Sequence, residues 1–158
     1  LAYGTNATGD VGDNIRHYER RVDHVVNRVR SLVPDAACLL VGPSDRPIKM
    51  HAPPAEPGGD ETLQLAKRPR QAQVIAAQKR VSERYGCGYW DMTAAMGGDL
   101  SMVQWVSSEP QLGARDYVHL TRKGYERVGE LFWDAVMVGA LLGDGEKKPV
   151  EKGGAQGE

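Results

Sequence analysis

Asp116 and His119 stand three residues apart in the run Arg115-Asp116-Tyr117-Val118-His119-Leu120-Thr121-Arg122-Lys123-Gly124-Tyr125. One loop can carry both side chains at that spacing. The carboxylate can then accept from one imidazole nitrogen and leave the other free to move protons, which is the base-and-orienter half of a hydrolytic triad. Gly4-Thr5-Asn6 offers complementary chemistry. Glycine lets the backbone turn close to a ligand, and the neutral amide of Asn6 can donate to a developing oxyanion without itself titrating. Both patterns also have ordinary structural readings: Asp-x-x-His ahead of a helix can be capping, and Asn after Gly is a common turn residue.

The other chemistry-bearing residues are less organised. His51 lies in a Pro- and Gly-rich stretch and could reach a substrate, although a solvated loop histidine is the plainer reading. A metal-dependent hydrolase built from Asp116, His119 and His51 is a third class to weigh, but no close pair of His ligands supports it. His17 and His24 sit about two helical turns apart, too far for one metal ion. Cys38 and Cys87 fall in no metal-ligand spacing, and each is within or beside a buried strand, so two free buried thiols are expected. No metal or cofactor is expected.

A nucleophile is missing from this inventory. Ser101 follows Gly97-Gly98-Asp99-Leu100 but has no strand ahead of it, and Ser31, Ser44, Ser82, Ser107 and Ser108 have no better context. There is no Gly-x-Ser-x-Gly elbow.

The elements that must hold these residues follow from hydrophobic spacing. Leu1-Ala2-Tyr3 reads as the end of a strand running into the Gly4 loop, and so looks cut. Ile15, Tyr18, Val22, Val25, Val26, Val29 and Leu32 recur at helical steps, which predicts a helix over 13–33 with Asp13 as N-cap and Pro34 closing it. Ala36–Val41 reads as a strand buried on both faces, hence one strand of a parallel sheet covered by helices. Residues 43–66 carry five prolines and no periodicity, predicting a long surface loop. Helical spacing returns from Arg70 to Tyr85, with Gly86 to end it, and Cys87–Met92 reads as a second strand. Residues 94–113 read as irregular, and Trp105 among them is either core or a stacking surface for a sugar. Thr121 caps a last helix over 121–142 whose buried face should run through Tyr125, Val128, Phe132, Ala135 and Val136. Residues 1–142 thus form one domain, and 143–158, nearly devoid of apolar residues, form a tail expected to be disordered. The order strand stub, helix, strand, helix, strand, helix is the second half of a doubly wound α/β sheet, whose early strands are expected to lie outside this chain.

Composition narrows the function classes. With 158 residues, 41% hydrophobic content and a formal net charge of −1, the chain has the size of one globular domain and no basic field suited to nucleic acid. Lys67-Arg68-Pro69-Arg70 has no interleaved aromatics and reads as a solvated helix start. No apolar run is long enough to span a membrane, and no leader peptide is visible, though the sequence opens on Leu1 and an export signal could precede it.

Taken in order, these residues resemble the C-terminal half of the SGNH, or GDSL-like, esterase family. Tyr3-Gly4-Thr5-Asn6 is similar to its third sequence block and Asp116-Tyr117-Val118-His119 to its fifth. Leu39-Leu40-Val41-Gly42-Pro43, Met96-Gly97-Gly98 with Ser101-Met102 and Trp105, and His119-Leu120-Thr121-x-x-Gly124-Tyr125 resemble members related to bacterial peptidoglycan O-acetylesterases. The resemblance implies a three-layer α/β/α, flavodoxin-like fold over residues 1 to about 142. It implies a serine that attacks an acyl carbonyl, His119 as base and then acid, Asp116 as its orienter, and Asn6 in the oxyanion hole on a loop supported by Gly4 and Thr5. The family's Gly-Asp-Ser block and second-block glycine precede the Gly-Thr-Asn motif, so the nucleophile is expected outside this chain, in an N-terminal segment of the same polypeptide or a separate one. Ala7 stands where the family usually has Asp or Glu. The implied substrate is a short acyl ester, O-acetyl on carbohydrate, in a periplasmic or extracellular setting. The alternative is a non-catalytic carbohydrate-binding or scaffold remnant of the same fold.

Overall fold

The computed structural model describes residues 1–2, 4–9, 14–52 and 62–138. Helix α1 (Ile15–Leu32) is followed by strand β1 (Leu39–Val41), strands β2 (Ile48–Ala52) and β3 (Thr62–Ala66), helix α2 (Pro69–Arg84) and strand β4 (Gly88–Trp90). Helices α3 (Met92–Met96), α4 (Ser101–Ser107) and α5 (Arg122–Phe132) complete the order.

β1 and β4 pair in parallel, with Leu39 opposite Gly88, Leu40 opposite Tyr89 and Val41 opposite Trp90. On the other side of β1, Ala2 bridges Val41 in parallel, and the Val41 amide donates to the Leu1 carbonyl at 2.8 Å. β1 is therefore the middle of three parallel segments. Side chains alternate between the faces of a strand. Leu40 and Tyr89 face one way, into a core with Val22 and Val26 of α1 and Val81 of α2. Trp90 faces the other way and meets Phe132 of α5 edge-on, with ring centroids 5.2 Å apart. Helices thus cover both faces, giving the expected three-layer α/β/α arrangement. Gly42, just past β1, is required by a close approach: a Cβ there would lie 2.3 Å from the Tyr89 hydroxyl.

α1 and α2 pack along their apolar stripes. Tyr18, Val74 and Ala77 form a second buried cluster, and the Gln78 amide inside it donates to the Tyr18 hydroxyl at 3.0 Å. Surface pairs, Arg80 with Glu19 and Arg84 with Asp23, tie the outer sides of the two helices.

Several expectations need correction. Cys38 and Cys87 are not free thiols; they form a disulfide with a Cα–Cα distance of 4.7 Å. Each residue immediately precedes its strand, and the Leu39–Gly88 register puts the two side by side at the same end of the sheet. Residues 43–66 are not one structureless loop. β2 and β3 form an antiparallel hairpin running from Ile48↔Ala66 to Ala52↔Thr62, while the intervening Pro53–Glu61 segment lies outside the described residues. The prolines that dominate the composition cluster there and mask the short alternations on either side. Residues 94–113 hold two short helices rather than irregular chain, with Asp91 capping α3 through the Ala94 amide.

Helix ends also shift. Asn14 caps α1 by accepting from the Arg16 amide at 2.9 Å; Asp13, the expected cap, lies outside the described residues. The strand expected from Ala36 begins at Leu39, and Ala36 and Ala37 are exposed. α5 ends at Phe132 and continues as a wider π turn over Trp133–Val138, which rotates the later stripe. Ala135 is exposed there, and Tyr125 is 62% exposed. The side of α5 that faces the core runs through Gly124, Val128, Leu131 and Phe132; Val128 and Phe132 stand on it as expected, and Gly124 takes the place of Tyr125 because the glycine, invisible in a hydrophobic pattern, lies against backbone. The proposed tail, 143–158, lies outside the described residues. No helix among the described residues is long and apolar enough to cross a membrane.

Candidate active site

The segment between α4 and α5 closes on itself. Gly113 bridges Leu120 in antiparallel fashion, the Ala114 amide donates to the His119 carbonyl at 2.8 Å, and the Thr121 amide donates to the Leu112 carbonyl at 2.8 Å. Thr121 caps α5 as expected, accepting from the Gly124 amide at 3.1 Å and donating to the Gln111 carbonyl at 2.6 Å. Gly124 sits against this neck so closely that a Cβ would fall 2.0 Å from the Leu112 oxygen.

At the tip, Tyr117 adopts a left-handed backbone (φ +60°), a conformation that non-glycine residues hold only when their surroundings impose it. Its ring packs on the Met96, Met102 and Trp105 cluster together with Leu120. That anchor leaves Asp116 and His119 on the solvent side, with side chains 50% and 73% exposed. Asp116 Oδ1 accepts from the backbone amides of Val118 (2.9 Å) and His119 (3.0 Å). Its Oδ2 lies 2.6 Å from His119 Nδ1. The imidazole hydrogen bond, and then the two amides, hold the Asp116 carboxyl well below the usual carboxylate range. A carboxylate on Nδ1 favours the tautomer with the proton there and a lone pair on Nε2.

None of the six serines hydrogen-bonds to His119. Ser101 is 1% exposed and its buried hydroxyl has no partner, so the serine with the most suggestive context is sealed in the core. Ser31, Ser82, Ser107 and Ser108 donate to nearby backbone carbonyls. Ser44 is buried with its hydroxyl 3.5 Å from that of Thr5. Trp105 is likewise core, donating from Nε1 to the Met96 carbonyl at 3.0 Å, and offers no stacking face.

The Gly4-Thr5-Asn6 turn is built around a left-handed Gly4 (φ +116°) that lies on Gln78, Tyr18 and Val74. Thr8 closes the turn, its hydroxyl donating to the Thr5 carbonyl at 2.6 Å and its amide to the Gly4 carbonyl. The Gly9 amide donates to the Asn6 carbonyl at 2.9 Å. Asn6 is exposed, and its side-chain amide makes no hydrogen bond among the described residues. Ala7 packs against the Tyr18 cluster, so this position is an apolar contact rather than an acidic support.

Residues 43–46, leaving the carboxyl end of β1, touch both neighbourhoods. Ser44 meets Thr5, while the Asp45 carboxylate, 4% exposed, accepts from the Met102 amide at 2.9 Å. Burial raises the Asp45 pKa against the opposing pull of the Met102, Leu100 and Arg46 amides. Met102 in turn belongs to the cluster that anchors Tyr117 and Leu120. A contact path thus runs from the Asn6 turn to the His119 loop. Sequence reading weighed Ser44 only as a nucleophile and passed over Asp45; their signal was polar residues directly after an apolar strand, at the sheet edge where α/β proteins keep their sites. His51 lies exposed on β2, and His17 and His24 lie exposed on α1. Among the described residues no three His, Cys, Asp or Glu side chains group to hold a metal ion.

No family model and no curated protein matches this chain. Among solved structures it is similar to a peptidoglycan O-acetylesterase, with a TM-score of 0.71 and 26% identity. That match covers 90% of this chain but 37% of the other, so the chain spans well under half the length of its structural relative. A second similarity, to the esterase domain of the ZfL2-1 ORF1 protein from a zebrafish retrotransposon, has a TM-score of 0.45 and 15% identity, over 85% of this chain and 65% of that one, and carries no weight. The chain is a structural relative of SGNH-like esterases and carries part of an esterase-type α/β fold.

Proposed function

We propose that these residues supply the base, its orienting acid and one oxyanion donor of a serine esterase that removes short acyl groups, O-acetyl above all, from carbohydrate. His119 Nε2 takes the proton of a serine hydroxyl as the oxygen attacks the acyl carbonyl, and later returns that proton to the leaving alcohol. Asp116 fixes the ring and stabilises the imidazolium. Asn6 donates to the oxyanion as negative charge moves onto the carbonyl oxygen. The serine and the backbone amides that complete the hole come from a segment beyond these 158 residues, joined in one polypeptide or docked as a second chain.

The observation that carries this reading is the 2.6 Å contact between Asp116 Oδ2 and His119 Nδ1 on a loop pinned at its neck, with the ring's other edge open to solvent. The Cys38–Cys87 disulfide supports an oxidising compartment, periplasmic or extracellular. The test is to treat the isolated chain with a serine-reactive aryl phosphonate and read adducts by mass spectrometry alongside aryl acetate turnover. Neither a serine adduct nor turnover is expected. Turnover with labelling of Ser101, or of any other serine here, would show that the nucleophile is internal.

A further inference from the structure

The turn that carries Asn6 is flanked by two arginines, neither of which pairs with a carboxylate among the described residues. A Cβ built on Gly9 would sit 3.3 Å from Arg46 Nη1 and 3.6 Å from Arg68 Nη1, so both guanidinium groups converge on one point beside that turn. Among the described residues neither arginine forms a salt bridge, although the adjacent Lys67 does, with Asp99. Their hydrogen bonds are with backbone carbonyls and mostly long. Arg46 Nη1 reaches the Thr5 carbonyl at 3.4 Å, Arg68 Nε the Arg46 carbonyl at 3.1 Å and Arg68 Nη2 the Pro47 carbonyl at 3.4 Å. Arg46 Nε is buried with no partner at all.

Two like charges brought together and partly desolvated repel, and the arrangement is stable only if something offsets them. Burial first, and then the charge of Arg46, push the Arg68 guanidinium below its ordinary pKa. Both residues are rooted in the structure: Arg46 follows the buried Asp45, and Arg68 is the N-cap residue just ahead of α2. Neither side chain is fully exposed, and the acid next to them, Asp45, is taken up by the Met102, Leu100 and Arg46 backbone amides.

We infer that Arg46 and Arg68 form an anion subsite beside the Asn6 turn, taking a carboxylate or phosphate borne by the carbohydrate whose ester is cleaved. Guanidinium forks match the planar carboxylate and the phosphate oxygens through paired N–H donors, which gives orientation as well as attraction. The subsite's part in catalysis rests on the esterase reading. There it fixes an acidic sugar so that its acyl carbonyl meets Asn6. Binding itself does not depend on hydrolysis.

The test is an NMR titration of the 158-residue chain with D-glucuronate, D-glucose 6-phosphate and D-glucose at low salt. The anionic sugars are expected to move the Thr5–Gly9 amide and Arg46 and Arg68 Nε resonances saturably, glucose is not, and the tighter of the two anions identifies the source. Affinity should fall at least about tenfold in R46Q and in R68Q. Gly9→Asp keeps both arginines and lends them a carboxylate of its own, so it should also abolish binding and raise the Tm. It serves where R46Q fails to fold through loss of the Thr5 contact. Binding in the parent chain should weaken as ionic strength rises. Glucose binding as tightly as glucuronate, folded protein that binds neither anion, or unchanged affinity in folded R46Q, R68Q and G9D would overturn the subsite. Glucuronate binding lost in R68Q, in a full polypeptide that hydrolyses no ester, would sustain the subsite while rejecting the esterase reading.

Discussion

Asp116 is held from three directions, by two backbone amides on one oxygen and the imidazole on the other. Its orientation is therefore set before any substrate arrives. Because the folded-state pKa is depressed, the pair's contribution to the loop is fully present above the unfolded Asp value of about 3.9 and fades as pH falls through the lower folded value. The carboxyl carbon of Asp116 should accordingly titrate below the ordinary Asp range. His119→Ala removes the largest cause and should move that titration upward, but not all the way, because the Val118 and His119 amides still donate. Titration of Asp116 in the ordinary range in the unsubstituted protein would mean that the pair does not persist in solution.

Among the elements, α5 and the neck of the His119 loop are coupled through a residue with no side chain. Gly124→Ala would drive a methyl into the Leu112 carbonyl, and because backbone lines the contact the helix must shift. A destabilisation of about 1–3 kcal/mol is expected, read as a lowered Tm, together with a displaced His119 resonance. An unchanged Tm would show that α5 does not press on the neck. Helices α1, α2 and α5, the parallel pairing and the Asp-x-x-His loop were legible because periodicity, caps and spacing are local. Thr121 announced its cap, and the helical spacing from Arg70 to Tyr85 announced α2. What was not legible depends on partners distant in sequence. Cys38 and Cys87 read as buried thiols because nothing in either neighbourhood says that the strands beside them are adjacent. Ile48–Ala52 and Thr62–Ala66 read as loop because short alternation drowns among prolines. Tyr125 read as core because an aromatic outweighs a glycine in any hydrophobic stripe. The Arg46–Arg68 pair brings together residues 22 apart in sequence, which no local pattern reveals.

At the scale of the molecule, the disulfide joins the starts of β1 and β4 across a sequence separation of 49 residues. Closing a loop of that length is worth roughly 2–4 kcal/mol, so C38S/C87S should lower the Tm and the urea midpoint, and reductant should have the same effect on the parent chain. A Tm insensitive to both would mean that the bond does not form. The three layers around a central strand are similar to the fold of the esterase relative, over 37% of its length. The decisive measurement is kcat/KM for an aryl acetate in the polypeptide that joins these residues to a Gly-Asp-Ser segment, with and without His119→Ala. Loss of the base should lower it by at least about 10³-fold while Tm and anionic-sugar binding hold. A folded His119→Ala protein that keeps the parent kcat/KM would contradict the assignment of His119 as the catalytic base.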